Sequence, residues 1–96
     1  MTLDFLRKQY RDEILRIAAA HGARNVRVFG SVVRNEARPD SDVDFLVDVE
    51  AGRSLLDVAG LWIDLETVLG RKIDVVLDGG ISPYLQDRIQ AEAQAL

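Results

Sequence analysis

Asp40, Asp42 and Asp44 fall on every second residue of GSVVRNEARPDSDVDFLV, the stretch from 30 to 47. A fourth carboxylate, Asp74, interrupts the apolar alternation of KIDVVL, residues 72–77. Side chains alternate faces along a strand, so Asp42 and Asp44 point the same way while Phe45 and Val47 turn to the other side. If the strands carrying Asp44 and Asp74 are neighbours, three carboxylates meet at one spot. Crowded carboxylates repel each other unless a cation neutralises them. Hard oxygen donors suit Mg²⁺, which is commonly held by one or two carboxylates together with substrate phosphates.

Plainer readings exist for two of these residues. Asp40, in Pro-Asp-Ser-Asp, fits ordinary turn chemistry as well as a site. Asp74 taken alone fits a charge that protects a sheet edge. For Asp44 the turn reading is much weaker, because an unpaired charge inside an apolar run is costly. A calcium loop starting at Asp40 fails: its sixth position is Phe45 instead of glycine and its twelfth is Ala51 instead of glutamate.

Upstream, Gly30-Ser31 follows the alternating stretch NVRVF, residues 25–29. A glycine at a strand end lets backbone approach a ligand closely. If Ser31 opens a helical turn, free backbone amides and its hydroxyl face the strand end, where phosphate is favoured. Arg34 and Arg38 are placed to neutralise phosphate charge. Neither a Walker A lysine nor G-x-G-x-x-G is present, so neither common phosphate loop applies.

These residues need elements to hold them. Leu3, Leu6, Tyr10, Ile14 and Ile17 recur at helical steps and predict one amphipathic helix over 3–20, stopped by His21-Gly22. Strands are expected at 25–29, 43–49 and 72–77. Ser54 caps a helix running to about 68, closed by Gly70. Asp78-Gly79-Gly80 turns the chain, and Ser82-Pro83 starts a last helix. The order predicts an α/β (α+β) domain: one small mixed sheet flanked by helices, spanning 1–96 as a single domain. Between 54 and 69 the apolar arc is wider than one core-facing stripe needs. Leu56 and Ile63 extend it on one flank, Leu61 and Val68 on the other. A helix sandwiched deep in the core is the expected reason, and a partner-docking surface is the alternative. His21 is read as support for a helix C-terminus rather than as a catalytic base.

Composition limits the function classes. The net charge of −4 argues against broad nucleic-acid binding, which needs a basic footprint. There is no cysteine, hence no disulfide, thiolate metal site or cysteine nucleophile. No apolar run approaches the length of a membrane span and the N-terminus carries no signal peptide, so a cytoplasmic location is expected.

Taken together, G-S, ten residues, D-x-D and a later aspartate resemble the DNA polymerase β-like nucleotidyltransferase superfamily, and within it the minimal nucleotidyltransferases. The similarity extends through ARNVRVFGS, ARPDSDVDFLV, GRSLLDVAGL, LGRKIDVV and SPYLQDRI. Asn35 departs from the pattern, since relatives often carry glycine after the arginine. The resemblance implies the nucleotidyltransferase fold. It implies that Asp42 and Asp44 hold two Mg²⁺ ions, and that Asp74 ligates one of them and helps deprotonate the attacking hydroxyl. Gly30 and Ser31 then match the phosphate-gripping pair. The implied reaction is transfer of AMP from ATP to a tyrosine of a partner HEPN-domain ribonuclease toxin, which this chain silences as antitoxin. A non-catalytic module that neutralises its partner by binding alone is the competing expectation. Transfer to a small molecule or RNA end is a third, disfavoured because so short a chain leaves little material for a second substrate-binding domain.

Overall fold

The computed structural model describes residues 1–80 and 82–96. Its elements are α1 (Leu3–Gln9), α2 (Arg11–Ala20), β1 (Ala23–Phe29), a 3-10 turn (Gly30–Val32), β2 (Val43–Val49), α3 (Leu55–Leu69), β3 (Ile73–Leu77), α4 (Pro83–Glu92) and β4 (Gln94–Ala95). The strands form one sheet in the order β3-β2-β1-β4. β2 runs antiparallel to β1 and parallel to β3, with α3 making the crossover between β2 and β3. The architecture is the expected mixed sheet with helices.

Period-two patterning decides what each strand buries. Val43, Phe45 and Val47 of β2 join Ile73 and Val75 of β3 and Val26 and Val28 of β1 in one core. Leu6, Ile14, Ala18, Leu61, Leu65 and Leu69 cover that face from α1, α2 and α3. Asp44 and Leu46 turn to the opposite face, as alternation requires.

Two expectations need correction. The helix foreseen over 3–20 is two helices bent at Tyr10, whose backbone leaves the helical region (φ −128°, ψ −5°). The bend lets α1 put Leu6 into the same core as Ile14 and Ala18. Arg7 ties α1 to the chain end, its guanidinium donating to the Ala95 carbonyl at 2.6 Å. The second concerns α3, which is not sandwiched deep in the core. Its buried residues are Leu61, Leu65 and Leu69, a single stripe at steps of four. Leu55 and Leu56 are each 83% exposed and Ile63 is 62% exposed. α3 lies on one face of one sheet, so only one side of it has anything to bury against.

Both ends of α3 are built as its sequence demands. Ser54 Oγ accepts from the Leu56 N–H at 3.2 Å, and Asp57 accepts from the Ser54 N–H at 3.1 Å. Gly70 ends the helix in the left-handed region at φ 62°, which glycine adopts without penalty. His21, at the end of α2, reaches Asp64 of α3 with Nε2 at 2.8 Å. Its ring lies where a Cβ on Gly60 would stand, so the glycine is what lets α2 and α3 close together here.

β1 is longer than foreseen and irregular. Its pairing with β2 shifts register between Arg24 and Arg27, and Asn25 sits in the bulge at φ 52°. Asparagine tolerates that conformation better than most residues. β4 carried no periodic signal at two residues, yet it pairs with Arg27 and Val28 and is followed by a buried Leu96.

Candidate active site

Asp44 occupies the start of β2, opposite Phe29 on one neighbour and beside Asp74 on the other. Residues in register on parallel strands share a face, so both carboxylates rise from the same side of the sheet. Asp42 lies one residue before β2 and is exposed, while Asp44 and Asp74 are half-buried. Burial first, then the charges of Asp74 and Asp42, push the Asp44 carboxyl up to about 6. Repulsion from both neighbours means that the strand pairing has brought the three expected carboxylates into one electrostatic neighbourhood.

Gly30 closes the site from the β1 side. Its φ of 78° lies in the left-handed region, and a Cβ there would collide with Asp44 Oδ2. The backbone must therefore be glycine for two separate reasons. Its N–H donates to Glu92 Oε1 at 2.9 Å. Arg34, one turn further on, donates through Nη1 to both Glu92 oxygens at 3.0 Å and through Nε to Glu36 at 3.2 Å. Asn35 has φ 59°, a conformation open to glycine and tolerated by asparagine, so the departure from the family pattern keeps the backbone path.

A cavity of about 230 Å³ sits among Gly30, Arg34, Asp44, Arg88 and Glu92, floored by Phe29, Leu85 and Ile89. A larger depression of about 380 Å³ lies along Arg7, Lys8, Arg11, Asp12, Glu13 and Arg16. Its lining mixes both signs of solvated charge and holds neither a strand-end carboxylate nor a glycine, so the smaller cavity is the one with chemistry.

Not every expected residue arrives. Arg38 is exposed in the turn before β2, where its backbone N–H donates to Ser41 Oγ at 2.9 Å. Its guanidinium forms none of the ion pairs found among the described residues. Asp40 is exposed in the same turn and is not among the charges that act on Asp44. Ser31 is half-buried in a 3-10 turn of three residues, too short to carry a helix dipole. The two donors that converge on one acceptor are thus the Gly30 N–H and the Arg34 guanidinium, both meeting Glu92. Glu92 was not foreseen, because a lone glutamate in a polar helix reads as a solvated side chain; only the fold brings it to β1.

Among the described residues no three acidic or imidazole groups close into a ready metal cage. The donor set nevertheless fits Mg²⁺. Its oxygens are hard, and among the described residues Arg34 does not fully offset the charge at Asp44, since it lowers that carboxyl less than burial and two aspartates raise it. A partial set of carboxylates, completed by substrate phosphates, is the usual form of such a site.

The profile of the nucleotidyltransferase domain family matches residues 8–96. The chain is 44% identical over 89 residues to the protein adenylyltransferase MntA of Thermococcus cleftensis, covering 84% of this chain and 90% of that one. It is 42% identical over 85 residues to a protein of Methanocaldococcus jannaschii named as a candidate protein adenylyltransferase, covering 88% and 91%. A solved structure described as a minimal nucleotidyltransferase superposes with a TM-score of 0.86 at 49% identity, over 100% of this chain and 97% of the other. A toxin–antitoxin crystal structure with AMP-PNP shares the fold at a TM-score of 0.76 and 17% identity, over 90% of this chain and 71% of that one.

Proposed function

The chain belongs to the nucleotidyltransferase domain family, and from that premise we propose that it is a Mg²⁺-dependent protein adenylyltransferase whose acceptor is a tyrosine of a partner HEPN-domain ribonuclease toxin. It would silence that toxin as its antitoxin. The observation that carries this reading is the crowding of Asp44 by Asp42 and Asp74 beside a glycine whose missing side chain leaves room for the Asp44 carboxylate. The names of its relatives support adenylyl transfer to protein.

In this reading Asp42, Asp44 and Asp74 hold two Mg²⁺ ions, which supply charge neutralisation at the attacking and leaving oxygens. The Gly30 N–H, Ser31 and Arg34 bind the phosphates of ATP. Phe29, Leu85 and Ile89 form the apolar floor beside them. The tyrosine oxygen forms a bond to the α-phosphorus, the bond to pyrophosphate breaks, and Asp74 takes the phenolic proton. Positioning and fixed charge supply most of the acceleration. The partner brings the acceptor.

The test uses ATP labelled on its α-phosphate, with Mg²⁺, purified protein and host lysate. One labelled protein band is expected, absent with Asp42→Ala, and mass spectrometry of that band should find AMP on tyrosine. No band from the folded wild-type protein in lysate shown to contain the partner would refute the reading.

The exposed Leu55, Leu56 and Ile63 favour a second reading, neutralisation by binding alone. Neutralisation that survives in Asp42→Ala and Asp44→Asn would select it.

A further inference from the structure

The donors that would grip a phosphate are already occupied. Glu92 Oε1 accepts from the Gly30 N–H at 2.9 Å, and Arg34 Nη1 reaches both carboxylate oxygens at 3.0 Å. A backbone N–H beside a guanidinium is an anion-binding set, and a carboxylate satisfies it much as a phosphate oxygen would. Burial pushes the Glu92 carboxyl up, but the Gly30 N–H and Arg34 outweigh it and hold the group below its ordinary value. Glu92 is therefore a bound anion at this position, covalently supplied by α4. It also adds a further negative charge against Asp44.

We infer that Glu92 is an internal latch, a carboxylate of α4 that occupies the phosphate grip and must leave before a nucleotide triphosphate can enter. The inference rests on the nucleotide reading of this site. The Gly30 N–H is a single donor that Glu92 already occupies, so a phosphate oxygen that takes it exchanges with the carboxylate.

The element that carries the latch is suited to move. None of α4's residues is buried, and its N-cap Ser82 makes no capping hydrogen bond from its side chain. Tyr84 is 95% exposed and Leu85 48%. Among the described residues, α4's other side-chain hydrogen bond to the body of the domain is from Gln90, which donates to Asp78, just past β3, at 3.0 Å. Helices with few buried contacts open at low cost. Beyond them Ala93 is extended (φ −61°, ψ 133°), and β4 with buried Leu96 anchors the chain to β1. α4 can swing while the chain on its far side stays fixed.

The experiment is calorimetric titration of wild type and Glu92→Gln with AMP-PNP and Mg²⁺, with adenosine as the phosphate-free control. Glutamine keeps an acceptor for the Gly30 N–H and removes the charge that competes with phosphate. AMP-PNP should bind about tenfold more tightly to the variant, the size expected for one charge-assisted pair no longer displaced, and adenosine equally to both. A readout independent of any variant is amide exchange in wild type, where residues 85–92 should lose protection when AMP-PNP and Mg²⁺ are added. Wild type that binds AMP-PNP, with no gain in Glu92→Gln or with greater protection of 85–92, overturns the latch alone. Failure of both proteins to bind AMP-PNP overturns the latch together with the nucleotide reading.

Discussion

β2 shows its two faces one residue apart. Phe45 is fully buried in an apolar core shared with three helices. Asp44, adjacent in the chain, stands half-buried between two other carboxylates. One face gains stability from what it excludes, and the other holds like charges together at a cost. A domain of this size has only about 5–15 kcal/mol to spend against such a cost. The core face is therefore what permits the other to be strained, and substitutions one position apart should act in opposite directions.

The largest effect belongs to the core face. Phe45→Ala deletes a ring from a site with no exposure, which costs about 3–5 kcal/mol. The midpoint of urea unfolding should fall steeply, and the protein should be partly unfolded in dilute buffer. A midpoint close to wild type would mean that the two faces are less different than burial makes them.

Gly30→Ala comes next and strikes where the faces meet. A side chain at φ 78° costs about 1–2 kcal/mol in backbone energy alone. It also pushes Asp44 Oδ2 out of its place, so affinity for AMP-PNP with Mg²⁺ should fall by about tenfold or more, equivalent to about 1.4 kcal/mol. Calorimetric titration checks the second and thermal unfolding the first. Unchanged affinity would remove Gly30 from the site.

How much of this contrast was legible in the sequence follows from its periods. The strand carrying Asp44 was bounded correctly, because alternation along a half-buried strand is a strong signal. Gly30-Ser31 and Asp74 stood out in the sequence for the same reason: each interrupts a pattern at a strand or its end. Glu92 interrupts nothing, and only the sheet order and the path of α4 bring it to Gly30. The bend at Tyr10 was hidden because the apolar stripe continues through it, and stripes do not record a change of axis. Arg38 was read as a phosphate partner from its place in the sequence; it lies exposed in the turn before β2 and enters none of the ion pairs found among the described residues.

Asp44→Asn tests the strained face directly, with a smaller effect of opposite sign. The folded protein keeps this proton to about pH 6, while the unfolded chain releases it near 3.8. Between those values the folded state binds more protons at this group, so the contribution of Asp44 to stability is most favourable below pH 4 and falls as the pH rises through 6. Above pH 6 the full penalty is present, about 1 kcal/mol after allowing for water around a half-buried group. In metal-free buffer at pH 7 the variant should melt a few degrees higher than wild type, its pH slope over this range should flatten, and labelled AMP transfer should vanish. Mg²⁺ should raise the melting temperature of wild type more than that of the variant. A metal-free variant less stable than wild type would show that the aspartate cluster is not under strain.

The smallest effect on stability is expected where neither face reaches. Leu56 is 83% exposed at the start of α3, so Leu56→Ser removes almost no buried area and should change stability by less than about 0.5 kcal/mol. The Ser54 cap lies on the backbone before it and survives, because Leu56 contributes to that cap only its N–H. The sequence alone put this residue on the flank of a deeply packed helix, where the same substitution would cost several times more. A loss of about 2 kcal/mol or more in chemical unfolding would restore that reading. An unchanged midpoint leaves an apolar residue that folding does not need, and makes Leu56→Ser the substitution that separates partner binding from fold: nucleotide affinity intact, labelling of the partner reduced.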